Sequence, residues 1–148
     1  MKRRILLVDD DLAVLLTLKA VLEMHGFEVE TAASTAEALA RMESATFHMV
    51  ISDLRMEKED AGMEVIRAAR RQAYDPATAL LTAYPPSPEN HNRAPGDQEQ
   101  PDSMLVKPLG TGDLIRQIEA LLIRHADRQQ SRLRGAPPQT QLRRRSAG

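Results

Sequence analysis

Cysteine is absent from this chain, and so is tryptophan. Without cysteine there is no disulfide framework and no thiolate chemistry. Without tryptophan, and with only two Tyr and two Phe, a core must be built from Leu, Val, Ile, Met and Ala. No long hydrophobic run is present either. No apolar run approaches membrane-spanning length, and Ile5–Val8 is too short for a signal peptide and ends in acids, so a cytoplasmic location is the natural expectation. The four histidines, His25, His48, His91 and His125, show no ligand spacing and read as surface or packing residues.

Charge is abundant but uneven. Residues 126–148 hold six Arg against one Asp, five positive charges net. The whole chain sits at −1, which leaves the first 125 residues with six negative charges. The 148 residues suit one domain and a tail. The expected division is therefore an acidic domain over 1–125 and a basic, disordered tail over 126–148. Gly135, Pro137 and Pro138 interrupt that tail, and an arginine run of this kind is more often solvated than nucleic-acid bound.

Five residues stand at the ends of short apolar runs. Ile5-Leu6-Leu7-Val8 leads into Asp9-Asp10, and Met49-Val50-Ile51-Ser52 into Asp53. Ala79-Leu80-Leu81 leads into Thr82, and Met104-Leu105-Val106 into Lys107. Such runs, separated by helical periodicity, read as buried parallel strands. The pattern predicts strands at 4–8, 28–32, 48–52, 78–82 and 103–106. Helices are expected at 12–25, 35–44, 62–72 and 112–125. Gly26 ends the first helix, and Ser34 with Glu37 opens the second as a capping box. Alternation of this kind argues a doubly wound α/β sandwich. In an open parallel sheet the carboxyl ends of the strands converge on one crevice. Three carboxylates, a hydroxyl and an ammonium would then share a pocket. The carboxylates repel unless a cation joins them, Mg²⁺ suits such oxygen donors, and a carboxylate can accept a phosphoryl group.

ILLVDDD, VISDLRM, LLTAY and LVKP resemble, in order, the four signature segments of a two-component response-regulator receiver domain. The resemblance covers about residues 2–125 and implies the flavodoxin-like strand order 2-1-3-4-5. It implies that Asp53 is the phosphoacceptor and that Asp9, Asp10, Asp53 and the backbone carbonyl of Arg55 hold Mg²⁺. Asp10 would be the direct ligand, with Asp9 acting mostly through water. Lys107 would contact the phosphoryl oxygens, Pro108 would follow a cis peptide bond, and Thr82 would be the switch hydroxyl. The donor would be a histidine kinase or a histidine phosphotransfer protein, and the output a changed contact with a downstream protein. By the same resemblance the chain is no enzyme beyond its own phosphorylation and dephosphorylation.

The sequence departs from that family at several points. Residues 85–102 contain five prolines, and Ala94 is their only apolar residue. The family's helix between strands four and five is therefore expected to be missing or degenerate, since each internal proline costs about 3 kcal/mol. A flank left thinly covered there would invite a partner or a homodimer. Met104 stands where the family places an aromatic partner of the switch hydroxyl. Glu57 replaces a common proline in a loop one residue longer than usual. Arg55 and Tyr84, at positions that tune water access, are both large. An alternative follows from these departures: a pseudo-receiver that binds protein without a phosphorylation switch. The blander readings are that Asp11 is a helix N-cap, that Asp53 is a turn residue and that Lys107 is a solvated strand-end lysine.

Overall fold

The computed structural model describes residues 2–58, 61–83, 100–107 and 110–135, with side chains described as far as Ser131. Five strands are present: β1 (Arg4–Val8), β2 (Glu28–Ala32), β3 (Met49–Asp53), β4 (Ala77–Thr82) and β5 (Ser103–Val106). Four helices accompany them: α1 (Leu12–Met24), α2 (Thr35–Ser44), α3 (Ala61–Arg70) and α4 (Thr111–Gly135). The strands form one parallel sheet in the order β2-β1-β3-β4-β5. This is the expected doubly wound architecture.

Strand pleating explains how two cores grow from one sheet, since alternate residues face opposite sides. On β1, Ile5 and Leu7 face one side with Leu15 and Leu22 of α1 and Leu114, Ile115, Ile118, Leu121 and Leu122 of α4. Leu6 and Val8 face the other, with Ala38 and Met42 of α2 and Val65, Ala68 and Ala69 of α3. β1 lies between β2 and β3, which pair both its edges, and helices cover both its faces, so residues 5–8 are fully buried.

Helix ends carry local signals. Asp11 caps α1, its carboxylate accepting from the Ala13 and Val14 amides. At the other end Gly26 takes φ +90°. The Gly26 amide donates to Glu23 O and the Phe27 amide to Leu22 O, the paired bonds of a glycine-terminated helix. Ser34 Oγ accepts from the Glu37 amide at 3.1 Å. The Glu37 carboxylate returns to the Ala33 amide at 2.8 Å, one residue before the position a strict capping box uses.

α4 extends ten residues past the end that apolar spacing assigns it. Residues 126–135 offer little to bury. Polar side chains tie the described part of this extension down instead. His125, 6% exposed, donates from Nε2 to the Asp75 carbonyl at 2.8 Å. Gln129 Nε2 donates to the same oxygen at 2.9 Å. Arg128 reaches Asp102 Oδ1 at 3.2 Å, as does Arg70 of α3. Asp75 itself has φ +52°, a conformation most side chains avoid, immediately before Pro76. The expectations for residues 85–99, Pro108 and residues 136–148 fall outside the described residues. Among the described residues no helix is long and apolar enough to cross a membrane.

Candidate functional site

Sheet register sets the site. Val8 pairs with Ser52, so Asp9 follows β1 beside Asp53 at the end of β3. Asp53 pairs with Leu81, which puts Thr82 one residue beyond. Thr82 pairs with Val106, so Lys107 emerges next to it, and the Lys107 amide donates to Thr82 O at 2.8 Å. Asp9, Asp53, Thr82 and Lys107, far apart in the chain, thus meet at the carboxyl ends of four neighbouring strands.

Carboxylate oxygens of Asp9, Asp10 and Asp53 all lie within 4.8 Å of one another. Lys107 Nζ donates to Asp53 Oδ1 at 2.9 Å and lies 3.7 Å from Asp9 Oδ2. Burial grades the three acids: Asp9 is 2% exposed, Asp53 half-buried and Asp10 exposed. Asp9 Oδ1 accepts from the Asp11 amide at 2.9 Å. Its other oxygen is buried without a hydrogen-bond partner.

The electrostatics follow from that crowding. Burial pushes the Asp9 carboxyl above its usual range. The Asp11 amide and Lys107 oppose this, Asp53 and Asp10 add to it, and the net is upward. Burial pulls Lys107 down, but its hydrogen bond to Asp53 and the charges of Asp53, Asp9 and Asp11 outweigh it, and the net is upward again. A buried carboxylate oxygen without a hydrogen bond, beside two further carboxylates, is a donor set for a hard cation. A hard divalent ion such as Mg²⁺ fits these residues.

Thr82 is 4% exposed and belongs to the same sheet end. Arg55 is exposed, two residues past Asp53. Tyr84 lies outside the described residues. Two contributors escaped the sequence reading. Gly62, at the start of α3, has no room for a side chain, because a Cβ there would lie 2.3 Å from the Asp53 carbonyl oxygen and 2.7 Å from Leu54 Cα. Its amide donates to Leu54 O at 2.8 Å, which pulls α3 tightly behind Asp53. Glu57 accepts from the Thr35 amide at 3.1 Å. A glycine shortly after the Asp53 loop was the available signal for the first; nothing in the local sequence signals the second.

The family model of the response regulator receiver domain matches residues 5–119. The chain belongs to this family. It is 35% identical over 123 residues to the transcriptional regulatory protein CpxR homolog of Haemophilus influenzae, covering 83% of this chain and 52% of that protein. It is also 35% identical over 121 residues to the transcriptional regulatory protein PrrA of Mycobacterium leprae, covering 82% and 50%. The receiver chain thus spans about half the length of these curated relatives. Among solved structures, chemotaxis response regulator CheY4 of Vibrio cholerae superposes with a TM-score of 0.71 at 31% identity, covering 82% of this chain and 99% of that one. Response regulator TrrA of Thermotoga maritima, in complex with Mg²⁺-BeF, gives 0.66 at 33% identity, covering 82% and 99%. Fold and family agree with the four sequence segments. This is a receiver domain of two-component response regulators.

Proposed function

We propose that this receiver domain accepts a phosphoryl group on Asp53 from the phosphohistidine of a histidine kinase or a histidine phosphotransfer protein. The observation that carries this is Lys107 Nζ 2.9 Å from Asp53 Oδ1, beside the three clustered carboxylates. A carboxylate oxygen of Asp53 attacks phosphorus. The new O–P bond forms as the P–N bond breaks, and the imidazole nitrogen leaves with the electron pair. Lys107 turns from the carboxylate to the incoming phosphoryl oxygens and offsets their charge. Mg²⁺, when bound by Asp9, Asp10, Asp53 and the Arg55 carbonyl, supplies further charge neutralisation. Asp10 would be the direct ligand, and Asp9 would act mostly through water. Thr82 then moves toward the phosphoryl group, and the segment after it carries the signal to a downstream protein. Hydrolysis by water returns the carboxylate. The chain catalyses its own modification and nothing else, and it works in the cytoplasm.

The test is intact-mass measurement after incubation with acetyl phosphate. We expect one phosphoryl group per chain with Mg²⁺, little without it, none in Asp53→Asn, and impaired uptake in Lys107→Ala. Equal uptake by Asp53→Asn and the wild type would end this reading. A pseudo-receiver is the second reading. Met104, half-buried on β5 where an aromatic switch partner would stand, favours it, and absence of uptake by the wild type would favour it further.

A further inference from the structure

α2 begins with amides that no helical carbonyl satisfies. Ser34 Oγ serves the Glu37 amide. The Thr35 amide, first in the helix, donates to Glu57 Oε2 at 3.1 Å. Glu57 belongs to the loop after β3, twenty-two residues away. Its negative charge also sits at the positive end of α2. The sheet order makes this bond unusual in its reach. α2 follows β2, the Glu57 loop follows β3, and β1 runs between them. The bond therefore crosses the end of β1, where Asp9 and Asp10 emerge.

The loop that Glu57 ties carries Arg55. Its ends are held by backbone bonds: the Leu54 amide to Leu81 O, the Gly62 amide to Leu54 O and the Ala61 amide to Lys58 O. Met56 packs partly buried against the α2–α3 core. Within the loop the Met56 amide, part of the same peptide as the Arg55 carbonyl, donates to Lys58 O at 3.1 Å, so residues 55–58 form a local turn. The Glu57 side-chain bond, made from the middle of that turn to another helix, fixes the turn relative to the sheet end.

We propose that Glu57 is a positioning residue, a clasp between the β3–α3 loop and the N-terminus of α2 that holds the Arg55 carbonyl toward the carboxylate cluster. This rests on the reading of that carbonyl as a Mg²⁺ ligand. The role belongs to the geometry of the acceptor oxygen and not to its charge alone. Supporting groups of this kind typically change metal affinity by 10–100-fold; an exposed single bond belongs at the bottom of that range.

The experiment uses the full chain, with Mg²⁺ titrated calorimetrically and amide exchange measured on the metal-free protein. Glu57→Ala should bind Mg²⁺ about tenfold more weakly and exchange faster at residues 54–58. Thr35→Pro should do the same with the Glu57 charge intact, because proline is tolerated at a first helical position but has no N–H to donate. Ser34 already has the extended backbone a following proline needs, φ −157° and ψ 165°. Glu57→Gln keeps the acceptor oxygen and should stay near the wild type in both measurements. If Glu57→Gln binds as weakly as Glu57→Ala while Thr35→Pro binds normally, charge and not position is responsible, and the clasp is overturned. Unchanged Mg²⁺ affinity in Glu57→Ala overturns it too. A wild type that binds no Mg²⁺ at millimolar concentration overturns the reading of the whole site, and the clasp's role with it; this outcome is distinct from a loss confined to the variants.

Discussion

At the scale of single residues, the clearest tension is Asp9. Its carboxyl is buried, one oxygen has no hydrogen-bond partner, and two other carboxylates face it. Ionising it in the metal-free protein works against folding. Asp9→Asn should therefore stabilise the metal-free protein by roughly 1 kcal/mol, and raise its melting temperature, because the buried charge is removed. It should also shrink the stabilisation that Mg²⁺ gives the wild type by mass action. Thermal melts with and without millimolar Mg²⁺ check both, and a metal-free Asp9→Asn that melts below the wild type contradicts the argument. The residues of this site were legible because each acid or amine directly follows an apolar run. Their ranking by burial was not. Asp9 and Asp10 look alike in sequence, and only the register with β2 and β3 makes one buried and the other exposed.

At the scale of elements, helices and strands were legible to within a residue or two wherever apolar spacing marks them. β1, β2 and β5 have their expected limits, and β3 shifts by one residue to include Asp53. α4 is the exception. Its last turns contain no apolar stripe, and their anchors, Asp75 and Asp102, lie about fifty and twenty-six residues away in sequence. A one-dimensional pattern cannot show such partners. The consequence is measurable. A chain ending at residue 125 should be less stable than one ending at 135, by roughly 1–3 kcal/mol for two to three lost polar bonds. Gln129→Ala should reproduce part of that loss. Equal unfolding midpoints in denaturant would show that the extension contributes nothing. α3 carries a second prediction. Gly62→Ala forces a methyl group against the Asp53 carbonyl. It should cost about 1–3 kcal/mol as overpacking and slow phosphoryl uptake through displacement of Asp53.

At the scale of the whole molecule, Asp102 joins α3, β4 and α4 just ahead of β5. It accepts from the Thr78 amide at 2.8 Å and Thr78 Oγ1 at 3.1 Å, and it pairs with Arg70 and Arg128. Burial raises its pKa, but the Thr78 bonds and Arg70 outweigh burial and the net is downward. Its folded pKa therefore lies below the unfolded value of about 3.9. Stability from this group is complete above that value and is lost as pH falls through the folded pKa. Asp102→Asn should melt lower than the wild type at pH 7, and the gap should narrow below about pH 4. A gap that stays constant from pH 7 to pH 3 would rule out this assignment.

The same sheet also sets when the protein can first work. Its acids come from β1 and β3, and its ammonium follows β5, the last of the described strands. During synthesis, Asp9, Asp10 and Asp53 all leave the ribosome before Lys107 exists. A nascent or truncated chain therefore holds a repelling acid cluster without its built-in counter-charge. The last of these strands to be made supplies both the edge of the sheet and the charge that quiets its centre. On the proposed phosphoacceptor role, uptake before Lys107 is in place would be impaired as in Lys107→Ala, and a partly made receiver would compete poorly with finished ones for phosphoryl groups.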